Sequence, residues 1–172
     1  MSTLRACPPD IFVAGNKGMT HKYTVAIIGA SGSLGNLIAK DLSEYYRLLL
    51  MDDNDQSGSK ALQSTILELD GDNEVDVLDC CKDASWEADI IVIAVSVDKQ
   101  SEIAIKIKEV ATQKVVISIS SQINPDLDLQ SLLPHSKVIS VFIGADHHQI
   151  YDIHKIINAS MNSSDHEFSK LL

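Results

Sequence analysis

The chain predicts an α/β fold: a doubly wound, mostly parallel sheet in one three-layer domain. Three observations carry this. Short apolar runs alternate with stretches of helical periodicity from Tyr23 to about Ala159. One run, Asp89-Ile-Ile-Val-Ile-Ala-Val95, has no polar alternation, as expected of a strand buried on both faces. The first run, Tyr23-Thr-Val-Ala-Ile-Ile28, passes directly into a glycine-spaced turn and then a helix.

That turn reads Gly29-Ala-Ser-Gly32-Ser-Leu-Gly35, a GxxGxxG spacing. Gly29 permits the tight strand-to-helix turn, Gly32 lets backbone approach an anion, and Gly35 lets the helix pack closely on the strand. The helix N-terminus then presents amides and a positive dipole end, so Ser31, Ser33 and Leu34 join the three glycines as candidate pyrophosphate contacts. The helix runs from Ser33 to about Tyr45, with Leu34, Ile38 and Leu42 on one face.

Arg47-Leu-Leu-Leu-Met51 is the second strand, and Asp52-Asp53 follows it, with Asp52 twenty-three residues after Gly29. A carboxylate there accepts hydrogen bonds from adenosine ribose hydroxyls and repels a 2′-phosphate, so NAD is expected and NADP disfavoured. Asp52 is the ribose candidate, with Asp53 second. Asp-Asp-Asn-Asp is also ordinary turn chemistry.

Ser59 to Leu69 reads as a helix with Leu62, Ile66 and Leu69 inward, stopped by Asp70-Gly71-Asp72-Asn73. Glu74 to Leu78 is a short third strand, Asp89 to Val95 the fourth, and Lys99 to Ala111 a helix with Ile103, Ile107 and Val110 inward. Lys114 to Ser120 is the fifth strand, Asp126 to Leu133 a short helix, Lys137 to Ile143 the sixth strand, and Asp146 to Ala159 a closing helix. Residues 1–21 read as a leader, expected to be partly disordered, in which Ile11-Phe-Val13 offers an edge strand. Residues 22–160 are the domain, and 161–172 are a polar tail.

At 172 residues and 45% hydrophobic content there is enough chain for one core, and no room for a full second domain. A net charge of −10 argues against nucleic acid or an anionic membrane as partner. The absence of a long apolar span or a signal-like N-terminus makes cytoplasmic the expected location. The three cysteines form no disulfide framework; Cys80 and Cys81 are adjacent, which suits neither a bridge nor a zinc CxxC, and buried reduced thiols are expected.

The strand, glycine turn and Asp52 resemble NAD-dependent dehydrogenases of the Rossmann type. The segment Ala88-Asp-Ile-Ile-Val-Ile-Ala-Val-Ser-Val97, the helix after it and Val115-Val-Ile-Ser-Ile-Ser-Ser121 resemble prephenate dehydrogenases more narrowly, with deazaflavin-dependent NADP reductases similar too. The resemblance implies that Ala94, Val95 and Ser96 floor the nicotinamide and that Ser121 is the substrate-facing serine. It also aligns the family histidine with Ser140, just before Val141-Phe-Ile-Gly144, and the family's helical dimerisation domain is missing. A second resemblance is to lactate/malate dehydrogenases, through the same glycine turn, Gly58-Ser-Lys-Ala-Leu62 and Asn124-Pro125. That one lacks the arginine loop after the fourth strand.

His147, His148 and His154 fall in the closing helix with Asp146, Tyr151 and Asp152. The plain reading is a solvated helix face. His147 and His148 are the acid–base candidates if that helix reaches the ligand edge, and the spacing lacks the i, i+4 pair of a zinc helix, so no metal is predicted. The implied partner is a small-molecule substrate. The stripe Ile150, Ile153, Ile156, Ile157 first suits packing on the sheet, and second a homodimer or a partner substrate domain that completes the cleft. A non-catalytic nucleotide-binding module stands as the alternative to an oxidoreductase.

Overall fold

The structure is a computed structural model that describes residues 23–53, 56–124, 126–144 and 152–162. Its strands are β1 (Thr24–Ile28), β2 (Arg47–Met51), β3 (Val75–Leu78), β4 (Ile90–Ile93), β5 (Val115–Ser120) and β6 (Lys137–Phe142). Between and after them come α1 (Ser33–Leu42), α2 (Gln56–Leu69), α3 (Cys81–Glu87), α4 (Val97–Ile107), α5 (Leu129–Leu132) and α6 (Ile153–Asn162). All five strand pairings are parallel, in the order β3-β2-β1-β4-β5-β6. The order reverses between β1 and β4, which opens a crevice at their carboxyl ends, where such sheets bind ligands.

Strand periodicity sorts the core into two layers. Val25 and Ile27 of β1, with Leu48, Leu50, Ile90 and Val92, meet Ile38 and Leu42 of α1, Leu62 and Ile66 of α2, and Ile153 and Ile157 of α6. Ala26, Ile28, Leu49, Ile91, Ile93 and Val116 face the other way, onto Ala84 of α3, Ile103, Ala104 and Ile107 of α4, and Leu129 of α5. The aliphatic stripe of α6 is thus spent within the chain, with Ile153 and Ile157 fully buried.

Three expectations are corrected. Helix α3 was not anticipated, because its seven residues bury only Cys81, Ala84 and Ser85, small groups with little hydrophobic signature. It is held from outside: Lys114 Nζ donates to the carbonyls of Ser85 and Trp86, each at 2.6 Å, at the end of the helix where cations are favoured. Leu69, expected inward, is 70% exposed in the last turn of α2, where the chain leaves for the Asp70–Asn73 turn. Val110 lies beyond the end of α4, which stops at Ile107, although it still packs on the core. Cys81 is buried as expected and Cys80 half-buried, both as free thiols. The leader, its proposed edge strand, Ile150 and the tail beyond residue 162 lie outside the described residues.

Helix α6 is tied to the turn that follows α1 by more than aliphatic contact. The Tyr46 hydroxyl lies 3.0 Å from His154 Nδ1 and donates to Asn158 Oδ1 at 3.1 Å, while Tyr45 stacks on the His154 ring at 3.9 Å. Burial pushes the Tyr46 phenol up to about 12. Beside this group one Asp41 oxygen, Oδ2, is buried without a hydrogen-bond partner. Desolvation is the main cause raising the Asp41 carboxyl above its ordinary 3.8, against an opposing pull from His154. A carboxyl with a raised folded pKa is penalised once ionised, so its cost is absent below the unfolded pKa and appears as pH rises through the folded one. Asp41→Asn is therefore expected to raise Tm at pH 7 by roughly 1–3 °C, with the gain vanishing near pH 3. Thermal melts of both proteins across that pH range check it.

Candidate functional site

Three glycines shape the turn between β1 and α1. Gly29 has φ of +87°, and a Cβ there would lie 2.8 Å from the Ala94 carbonyl oxygen and from Val95 Cγ1. A Cβ on Gly35 would lie 2.1 Å from the Gly29 carbonyl oxygen and 2.9 Å from Ala30 Cα. Gly32 is looser, at 3.3 Å from the same Gly29 oxygen. As the N-cap of α1, Gly32 offers no side chain, and the first turn holds no acid, so the helix dipole and the first-turn amides are left for an anion. These are the close approaches a dinucleotide cradle needs.

Asp52 follows β2 directly. Both its oxygens accept from the Ser31 amide, at 3.1 and 3.2 Å, and the Ser59 hydroxyl donates to Oδ2. Ser59 is fully buried in α2, and Gly58 beside it packs against Ser31, where an added Cβ would lie 2.5 Å from the serine Cβ. The acid is thus fixed between the glycine turn and α2. A carboxylate accepts about four hydrogen bonds, so acceptor capacity remains for ribose hydroxyls. Asp53 points to the other side of the sheet, 3.7 Å from Lys106 Nζ of α4. Lys106 is far from Asp53 in sequence and becomes its neighbour only through the sheet reversal.

A cavity of about 300 Å³ runs along the carboxyl ends of β1, β4 and β5. It brings together Gly32, Ser33, Leu34, Ala94, Val95, Ser96 and Ser121, seven of the residues singled out by sequence, with Val97, Ile119, Ser120 and Gln122 completing its wall. A second cavity, of about 230 Å³, adjoins it at the ends of β5 and β6 and shares Val97, Ser120 and Gln122. Ser140, aligned by resemblance with a family histidine, lies in its lining. His147 and His148 are outside the described residues. Among the described residues no group of three or more histidines, cysteines or acids is placed to hold a metal ion.

Beneath both cavities sits Gln100, a fully buried amide that sequence reading passed over. Its Nε2 donates to the carbonyls of Ile119, at 2.9 Å, and Val95, at 3.2 Å, and its Oε1 accepts from Ser118 Oγ at 2.7 Å. One side chain so ties the ends of β4 and β5 to the first turn of α4. A signal was present: Gln100, Ile103, Ala104 and Ile107 form the inward stripe of α4, and a polar residue in such a stripe needs partners. Gln100→Leu is expected to strand the Ser118 hydroxyl and two carbonyls, costing about 2–4 kcal/mol; urea unfolding measures it.

The comparisons with known proteins agree with this geometry. No curated protein matches the chain by sequence. Among solved structures, the Plasmodium falciparum pyrroline carboxylate reductase with NADP bound is 19% identical, at a TM-score of 0.52 over 73% of this chain and 43% of that one. The Eimeria maxima lactate dehydrogenase with NADH and oxamate is 15% identical, at a TM-score of 0.55 over 72% and 44%. A Bacteroides thetaiotaomicron β-ketoacyl-[ACP] reductase reaches 0.58 at 19% identity over 83% and 92%. These likenesses show the fold, and the chain spans less than half the length of the first two. They include both an NADP and an NADH complex. Among the described residues no helix is long and apolar enough to cross a membrane. The domain is a Rossmann domain of the NAD(P)-binding dehydrogenase type. A family model described as semialdehyde dehydrogenase, NAD binding domain, matches residues 24–153, three-quarters of the sequence, and the chain belongs to that family.

Proposed function

We propose that the chain is the cofactor-binding part of a cytoplasmic oxidoreductase that uses NAD(H) in preference to NADP(H) to oxidise or reduce a small-molecule substrate. The observation that carries this reading is the cavity that joins the uncapped start of α1 to the ends of β4 and β5, while Asp52, outside its lining, is held beside the same glycine turn by the Ser31 amide and the Ser59 hydroxyl. Gly29, Gly32 and Gly35, with the amides of Ser33 and Leu34, hold the pyrophosphate. Asp52 holds the ribose, with Asp53 behind it, and Ala94, Val95 and Ser96 floor the nicotinamide. Bound nicotinamide supplies the hydride chemistry; the protein has to orient it and manage one proton. Ser121 faces the substrate side, and His147 and His148 are the acid–base candidates from the segment after β6.

Chemistry through a cysteine adduct finds no support among the described residues. Neither Cys80 nor Cys81 lines either of these two cavities, and burial pushes the Cys81 thiol up, away from the thiolate a nucleophile needs. Direct hydride transfer between a carbonyl and an alcohol is the reaction favoured. The prephenate-like and lactate/malate-like readings are narrower versions of it, each with a carboxylate substrate. A second domain or second copy that closes the cleft is the partner this reading calls for. Isothermal titration with NADH and NADPH tests the reading. Micromolar NADH binding with at least tenfold weaker NADPH supports it, and indifference to both at millimolar concentration overturns it.

A further inference from the structure

We propose that Gln100 is a positioning residue: its amide sets the width of the cleft between the ends of β4 and β5, and so seats the nicotinamide ring, while the ADP-ribose half of the cofactor is held without it. This rests on the cofactor reading above and deepens it.

The cleft begins where the sheet splits. Pairing of β4 with β5 runs from Ile90 and Val115 to Ile93 and Ser118, and stops there. Beyond that rung the two segments part, residues 94–97 forming one wall of the first cavity and residues 119–122 another. The carbonyls of Val95 and Ile119 lie past the last rung, one on each wall. Gln100 Nε2 donates to both, at 3.2 and 2.9 Å, so a side chain supplies the rung that the backbones do not make.

Both N–H groups of the amide are used in this way. Its oxygen accepts from the hydroxyl of Ser118, in the last rung itself, at 2.7 Å. The side chain is fully buried, and turning the amide over would set its oxygen against two carbonyl oxygens. A planar group with one allowed orientation fixes the distance between two walls in a way that apolar packing does not.

The other half of the site is anchored elsewhere. The Gly29 and Ala30 amides donate to the Met51 carbonyl, at 2.8 and 3.3 Å, and the Ser31 amide donates to Asp52. Asp52 is held in turn by Ser59 of α2. None of these bonds runs through α4 or β5. Releasing Gln100 therefore lets the two walls shift, while the phosphate cradle and the ribose acid keep their places.

The test uses the full chain and compares NADH with ADP-ribose, which carries the adenosine and diphosphate half but no nicotinamide. In the parent, NADH is expected to bind more tightly than ADP-ribose. Gln100→Leu, and the isosteric Gln100→Glu that puts an oxygen where two carbonyls need a donor, should weaken NADH about tenfold and ADP-ribose by less than about twofold. Ile107→Ala truncates a fully buried side chain at the far end of the same helix and serves as the stability control. It should lower the urea midpoint and leave the ratio of the two affinities at the parent value. On the parent itself, the NMR signal of the Gln100 side-chain amide should shift with NADH and stay in place with ADP-ribose, a readout that needs no variant to fold. Gln100 variants that weaken both ligands alike or neither, an Ile107→Ala protein that loses the ratio as they do, or a Gln100 signal that moves equally with both ligands would overturn the proposal. A parent that binds ADP-ribose as tightly as NADH would overturn it too and leave the cradle standing, whereas a parent that binds neither takes the cofactor reading down with it.

Discussion

Gly35→Ala is expected to lose most NADH binding and to unfold at a temperature about 6–12 °C below the parent. The new methyl would sit 2.1 Å from the Gly29 carbonyl oxygen and 2.9 Å from Ala30 Cα, both backbone atoms that cannot rotate away. Relief requires α1 to lift off β1, an overpacking cost of about 3 kcal/mol that outweighs the helix propensity gained with alanine. The same lift carries the amides of Ser33 and Leu34 away from any phosphate. Gly71 supplies the control, since a Cβ there meets nothing within 4 Å. Gly71→Ala should leave both NADH titration and thermal melt unchanged. A Gly35→Ala protein that binds NADH like the parent would show that the turn is not the cradle.

Asp52→Ala is expected to weaken NADH binding by tenfold or more while changing NADPH binding far less, so that the preference between them collapses. The loss combines missing ribose hydrogen bonds to a charged acceptor, about 1.5–3 kcal/mol, with the release of a 2′-phosphate from repulsion. The structure adds an internal cost, because the Ser31 amide and the buried Ser59 hydroxyl both lose their acceptor. Asp52→Asn separates the two effects. Its amide oxygen can still receive Ser31, so Tm should recover towards the parent while NADH affinity stays low. Lys106, close to Asp53, offsets part of the acidic field, and Lys106→Ala should sharpen discrimination against NADPH. Paired titrations of NADH and NADPH in one buffer decide between these outcomes.

The sheet and its binding edge were legible because parallel strands announce themselves twice, as unbroken apolar runs and by the helices between them. Ile90 to Ile93 is buried at every position, and Gly29 to Gly35 takes the turn its spacing demands. Features that depend on contacts across the fold were harder to read. Helix α3 owes its last turn to Lys114, twenty-eight residues away at Trp86. Lys106 meets Asp53 only once α4 has crossed the sheet. Gln100 showed itself as a misplaced polar residue in an apolar stripe, but its partners on β4 and β5 required the register. The family match followed from the whole run of residues 24–153, and the narrower resemblances drawn from separate motifs do not coincide with its description.

The stapling of α6 onto the turn after α1 has a consequence for synthesis on the ribosome. The Tyr46–His154 contact joins positions 108 residues apart, and Ile153 and Ile157 complete an apolar layer that begins with Val25. Until the final helix leaves the exit tunnel, the share of that layer covered by Ile153 and Ile157 stays open, with only α1 and α2 lying on the rest. The nascent chain therefore emerges with one side of its sheet finished, by α3 to α5, and the other covered only in part, by α1 and α2, until the end of translation. At elongation rates of about 5–20 residues per second that interval lasts several seconds. A chain arrested near residue 150 should be captured by chaperones that seek exposed aliphatic surface, and a chain released after residue 162 should not.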